Sequence, residues 1–208
     1  MLFTQLEFPI FFVIVLVSAW IARDRVVRNS ILLVASYYFY AYWDYRFCGL
    51  LVLSTVVDFF VARCIDRTDD RTSRRRWLMV SLAVNLGVLG YFKYCNFFIE
   101  SAQPLLTSLG LSAATLNIIL PVGISFYTFQ TLSYTIDVYR RVIRPTGSFL
   151  DFALFVAFFP QLVAGPIVRT RELLPQLARV PSWSGRRFYC GAQQMLRGAV
   201  KKVLLADR

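Results

Sequence analysis

The sequence has no histidine, only 12 acidic residues among 208, and 4 cysteines set far apart. Without histidine, imidazole acid–base chemistry and histidine metal ligation are excluded within these residues. Cys48, Cys64, Cys95 and Cys190 form no C-x-x-C pair, so neither a zinc ribbon nor a dithiol redox motif is present. They read as isolated thiols among apolar side chains, and no metal site is expected. Charge is scarce too: 17% of residues are charged and 57% hydrophobic, against about 25% and 45–50% in soluble domains. A soluble globular class is therefore excluded. The 19 Phe, 11 Tyr and 4 Trp exclude disorder, which goes with few aromatics.

What remains is a membrane protein, with mean hydropathy +0.55. The formal net charge of +11 comes from 23 Lys+Arg, grouped between apolar runs. These groups form no basic stripe with interleaved aromatics, so nucleic acid is not an expected partner. They read as topology signals instead, and the lipid bilayer is the first partner.

The apolar runs predict an all-α, polytopic chain with spans near residues 8–22, 29–43, 47–62, 77–99 and 116–136. The first run is preceded by Glu7 and followed by Arg23, Arg25 and Arg28. That order is the reverse of a cleaved signal peptide, so the N-terminus is expected outside and the Arg cluster in the cytoplasm. Six Arg and three Asp in the loop 63–76 are the strongest cytoplasmic signal. Asp44 and Arg46 mark a short outside turn, after a patch of Tyr and Trp of the kind that favours the headgroup region. Asp58, at membrane depth, reads as a structural polar group, and Lys93 as a side chain that snorkels to the interface.

Residues 152–168 are apolar but flanked by Arg on both sides, and they contain Pro160, Gln161, Gly165 and Pro166. A complete span would carry one Arg cluster outside, and proline breaks a continuous helix. A re-entrant cytoplasmic element meets both facts, since irregular backbone at membrane depth is tolerated inside protein or beside a water-filled cavity. Residues 172–208 read as a cytoplasmic amphipathic segment. No repeat, linker or low-complexity tract divides the chain.

Tyr127, Gln130, Tyr134 and Asp137 fall within roughly 80° of one another on a helix, and Ser133 widens the stripe. Polar groups in a span face the bundle interior or an aqueous path. Two readings stay open: interhelical hydrogen bonds that hold the bundle together, or the lining of a channel. For Asp137 an interfacial ion pair with Arg140 or Arg141 is a further alternative.

The run Leu120-Pro121-Val122-Gly123-Ile124-Ser125-Phe126-Tyr127-Thr128-Phe129-Gln130, continued by Ser133-Tyr134-Thr135-Ile136-Asp137-Val138-Tyr139-Arg140, resembles the signature of the membrane-bound O-acyltransferase family. So do Phe158-Phe159-Pro160-Gln161-Leu162-Val163-Ala164-Gly165-Pro166-Ile167-Val168-Arg169 and the closing Gly198-Ala199-Val200-Lys201-Lys202-Val203-Leu204-Leu205-Ala206-Asp207-Arg208. The similarity is to the bacterial alginate O-acetylation branch and extends over the chain.

The resemblance implies a ring of membrane helices of which this chain is the N-terminal part, set in the bacterial inner membrane. In that ring a cytosolic thioester, acetyl-CoA or a carrier-protein thioester, gives its acyl group to hydroxyls of an exported polysaccharide such as alginate, by way of a periplasmic acyltransferase. No resident cofactor is expected. Tyr127, Gln130, Ser133, Tyr134 and Asp137 would line the channel, and Gln161 to Arg169 would floor it near the donor. Arg140, Arg141, Arg169 and Arg171 would either attract an anionic donor or serve only as topology signals. The family's pore histidine has no match here, so no catalytic residue is assigned and the chain is expected to be inactive alone and truncated relative to its family. D-alanyl transfer to envelope polymers and a non-catalytic scaffold or transporter subunit are the alternatives.

Overall fold

The structure is a computed structural model and describes residues 7–108, 119–162, 168–179, 182 and 184–201. The described residues are helical, with no strand among them. The helices are α1 (Glu7–Ile21), α2 (Arg25–Asp44), α3 (Cys48–Arg67), α4 (Arg71–Ser108), α5 (Ile124–Tyr139), α6 (Phe149–Ala157), α7 (Phe159–Leu162), α8 (Thr170–Leu177) and α9 (Gly185–Lys201). Two stretches, Arg25–Arg67 and Arg71–Ile99, are long and apolar enough to cross a membrane. The first folds back on itself at a 3-10 turn, Tyr45–Phe47. There Asp44 leaves the helical region, accepts from the Arg46 amide at 3.0 Å and pairs with its guanidinium at 2.7 Å.

Three helices start where side chains satisfy their first free amides. Asp24 accepts from Val27 N at 3.0 Å to open α2. Asp70 accepts from Thr72 N and Ser73 N at 3.2 and 2.8 Å to open α4. Those bonds to the carboxylate, with Ser73 the main contributor, hold the Asp70 pKa below the usual carboxylate range. Ser148 accepts from Asp151 N at 3.2 Å to open α6.

The basic clusters meet at one end of the bundle. Arg63 Nη2 donates to Gly147 O at 3.0 Å, Arg141 pairs with Asp69 at 3.2 Å, Arg25 pairs with Asp151 at 3.5 Å, and Arg74 donates to Tyr139 O. The α3–α4 loop, the α5–α6 loop and the start of α2 therefore share that end, and Arg46 lies at the other.

The main core joins α2 to α6 around Leu51, Phe59, Ile65, Tyr134, Phe152 and Phe155. A second cluster gathers Val15, Phe39 and Phe159, ringed by Phe8, Phe11 and Phe12. The outward faces are apolar as well: Ile14, Val34, Phe60 and Phe98 are exposed. Such large apolar surface suits a lipid surrounding or a protein partner rather than water.

Two helix bounds differ from the runs of hydropathy. Helix α5 starts at Ile124 rather than near 116, because Gly123 takes the left-handed φ of 76° that ends the preceding Pro121 turn. Residues 116–118 lie outside the described residues. Helix α4 has 38 residues, about 57 Å of rise, well beyond the ~30 Å of a hydrocarbon core.

Candidate functional site

The apolar segment containing Pro160 does not run on as a helix. After α6 the backbone extends at Phe158 (φ −54, ψ 107) and restarts as the single turn of α7. Pro160 has no amide to give Val156 O, and the amide of Phe159 turns away to Ser36 Oγ at 3.2 Å. The carbonyl of Phe155 is thus released from its place in the helical ladder. Two side-chain amides take it up: Gln130 Nε2 at 2.6 Å and Gln161 Nε2 at 3.0 Å.

The same segment begins and ends at one place. Asn29 Nδ2 donates to Asp151 Oδ1 at 2.7 Å and to Leu177 O at 3.1 Å. The start of α6 and the end of α8 therefore meet at the start of α2. Between them the chain reaches Ser36 and then Phe39, whose ring lies 5.6 Å from that of Phe159. That is about 10–15 Å along α2 at 1.5 Å per residue. Arg28 fixes the return: its Nη1 donates to Arg179 O at 2.6 Å and its Nη2 to Leu177 O at 2.7 Å.

The two signature runs touch. Gly123 lies so close to the α7 backbone that a Cβ there would stand 2.6 Å from Leu162 O. Tyr40 Oη donates to Val122 O at 3.0 Å. The turn before α5 is therefore held between α2 and α7.

On α5, Tyr127, Gln130 and Tyr134 are buried, while Ser133 and Asp137 are partly exposed. Tyr134 Oη accepts from Thr146 N at 3.1 Å, and its ring centroid lies 4.5 Å from that of Phe152. Ser133 Oγ donates back to Gln130 O at 2.8 Å. The Tyr127 hydroxyl is buried beside that of Tyr40. Arg169 is exposed at the start of α8. The structure thus brings Gln130 and Gln161 onto one atom, with Tyr127 and Tyr134 on the same helix. Residues 163–167 lie outside the described residues.

A second polar cluster occupies the other side of α5. The fully buried Asp58 accepts from Ser81 Oγ and from Thr135 Oγ1 (3.2 Å) at one oxygen, and from Asn85 Nδ2 (2.8 Å) at the other. Ser54 Oγ donates on to Asn85 Oδ1 at 2.5 Å. Asp58 was legible as an ionisable group at depth, but its partners were not. Their signal is the i, i+4 spacing of Ser54 with Asp58, Ser81 with Asn85 and Thr131 with Thr135, which places each pair on one helix face.

Comparisons with known proteins point in one direction. The chain is 40% identical to probable alginate O-acetylase AlgI of Pseudomonas aeruginosa over 209 aligned residues, covering 100% of this chain and 40% of that protein. It is equally 40% identical to the protein of the same name from Azotobacter vinelandii, covering 42% of it. It is 35% identical to peptidoglycan O-acetyltransferase of Helicobacter pylori, with 89% of this chain and 40% of that protein covered. The chain spans about 40% of the length of these curated relatives. No family model and no solved structure matches it.

Proposed function

The chain belongs to the membrane-bound O-acyltransferase family, in the branch of the alginate O-acetylases, and from that premise we propose that it forms part of a multi-pass inner-membrane O-acetyltransferase. In this reading an acetyl group passes from a cytosolic thioester, acetyl-CoA or a carrier-protein thioester, toward hydroxyls of an exported polysaccharide. A periplasmic acyltransferase receives it on the far side. Alginate is the favoured acceptor, given the names of the relatives.

The observation that carries the reading is the broken segment α6–α7. It starts at the basic end, where Asp151 and Leu177 O of α8 both meet Asn29, breaks at about 10–15 Å depth along α2, and has its released carbonyl held by Gln130 and Gln161. Irregular backbone at such depth belongs inside protein or against a water-filled cavity. This supports residues 152–168 as a re-entrant element whose stretch from Gln161 to Arg169 floors an acyl-transfer channel near the donor. Tyr127, Gln130, Ser133, Tyr134 and Asp137 then form one wall, in which the buried Tyr127 hydroxyl, beside that of Tyr40, would bond a substrate oxygen. An alcohol needs a base to become a good nucleophile. These 208 residues contain no histidine, so their part is shaping and positioning.

The test is acetyl transfer by the intact protein in membranes, with acetyl-CoA and the exported polysaccharide. Tyr127→Phe keeps the buried ring and removes only the hydroxyl. We expect transfer to fall at least about tenfold, the loss of one hydrogen bond strengthened in the transition state, with normal protein levels. Undiminished transfer in Tyr127→Phe and Asp137→Ala removes both from the wall. No transfer by the parent protein overturns the reading.

A further inference from the structure

A cavity of about 260 Å³ opens at the basic end between the α5–α6 loop and α8. It is lined by Arg144, Thr146, Asp151, Thr170, Arg171 and Pro175, among others. Three features of this lining point to an anion. Arg144 and Arg171 are exposed and make no ion pair among the described residues. Thr170 is only 1% exposed, yet its Oγ1 has no hydrogen-bond partner among the described residues. Helix α8 begins at Thr170 with no side-chain cap, and Arg169 O receives only the amides of Glu172 and Leu173, at 3.0 and 3.3 Å.

Burying a hydroxyl without a partner is unfavourable; an oxyanion seated in the cavity would accept from it. The uncapped start of α8 offers the amides of Thr170 and Arg171 to the same group, with the positive end of the helix behind them. Asp151 is the one carboxylate among the described lining residues, and it is already engaged by Asn29 at 2.7 Å and Arg25 at 3.5 Å. Glu172 does not line the cavity. The volume is below the ~300–1,000 Å³ of pockets that enclose whole drug-sized ligands, so it suits a single headgroup.

We propose that this cavity is a phosphate-ester binding site, in which Arg144 and Arg171 neutralise the anion while the Thr170 hydroxyl and the first amides of α8 hydrogen-bond it. Two sources carry that chemistry: the phosphates of a CoA-type thioester donor, and the headgroup of an anionic phospholipid. The first source rests on the acetyl-transfer reading above; the site itself does not.

The experiment uses the intact protein in nanodiscs of zwitterionic lipid. Coenzyme A, pantetheine, inorganic phosphate and phosphatidylglycerol are titrated against the parent, Arg144→Gln/Arg171→Gln, Thr170→Val and Thr170→Ser. Arg75→Gln/Arg76→Gln removes equal charge elsewhere at the same end. We expect coenzyme A to bind and pantetheine, which has no phosphate, to fail. The Arg144→Gln/Arg171→Gln protein should lose about tenfold or more in affinity, as expected for charge-assisted hydrogen bonds. Thr170→Val should weaken binding, Thr170→Ser should restore it, and the Arg75/Arg76 variant should match the parent. Matching thermal midpoints for Thr170→Val and Thr170→Ser exclude a folding defect as the cause.

If phosphatidylglycerol or inorganic phosphate shows this pattern and coenzyme A does not bind, the site stands with a lipid source and the donor reading fails. If coenzyme A binds equally well to all variants, the donor reading stands and this site is overturned. Phosphate compounds that bind no variant differently from the parent, or not at all, overturn it too.

Discussion

Gln130 and Gln161 donate to one acceptor, the carbonyl of Phe155, at 2.6 and 3.0 Å. One glutamine comes from the signature run of α5 and the other from the run around Pro160. The break made by Pro160 releases the carbonyl that both amides then satisfy, so a lesion in backbone pairing becomes the joint between two helices.

The two glutamines are therefore expected to be energetically coupled. Gln130→Leu or Gln161→Leu alone leaves Phe155 O with one donor and should cost about 0.5–1.5 kcal/mol. The double variant strands a buried carbonyl and should cost more than the sum of the two. A double-mutant cycle of unfolding in mixed micelles measures this, and strict additivity would show that the shared acceptor is unimportant.

Gly123→Ala should be among the most damaging small substitutions. The added Cβ would meet Leu162 O at 2.6 Å, in a backbone conformation with φ 76° that alanine avoids. Left-handed strain alone is about 1 kcal/mol or more, and the α7 backbone would have to move as well. Gly147→Ala, with open space around its Cβ, is the matched control. Equal melting temperatures for the two would contradict the packing of α5 on α7.

Asp58 tests the second cluster. Asp58→Ala leaves Ser81, Asn85 and Thr135 without their shared acceptor and should destabilise by at least ~2 kcal/mol. Asp58→Asn keeps an oxygen for the two hydroxyls, and rotating the Asn85 amide lets it pair again, so the loss should be much smaller. The order of the two unfolding midpoints is the readout, and a milder effect of alanine would place the contribution of Asp58 outside this network.

Arg28 ties the end of α8 to α2 by donating to Leu177 O and Arg179 O. Lysine offers a single nitrogen in place of the planar fork, so Arg28→Lys should loosen the end of α8 as Arg28→Ala does. Limited trypsin digestion should then cut after Arg179 several-fold faster in both variants. Unchanged cleavage would show that the segment is held elsewhere.

Acid should weaken the start of α4. The folded pKa of Asp70 is depressed by the amides of Ser73 and Thr72, so its contribution is fully present above the unfolded carboxylate pKa. It is lost as pH falls through the lower, folded value. Carbon-13 titration of Asp70 should give a midpoint below that of the unfolded chain, and Asp70→Asn should remove the acid sensitivity of the Thr72 and Ser73 amides.

The amino-acid sequence by itself determined the helical character, the approximate positions of α1 to α4, and the common end of the basic clusters. These are local properties. An apolar run of sufficient length must satisfy its own backbone as helix, and arginine beside it must stay at an aqueous edge. The proline break near 160 and the polar stripe of α5 were legible for the same reason, since both follow from residue type and period.

Only the tertiary structure decided what those polar groups meet. It sent Gln130 and Gln161 to one carbonyl, Tyr134 to the amide of Thr146, and Asp58 to hydroxyls and an amide on two other helices. It also joined Asp151 and Leu177 through Asn29. A hydrogen bond between residues far apart in the chain depends on helix rotation and depth, which packing sets and hydropathy does not record.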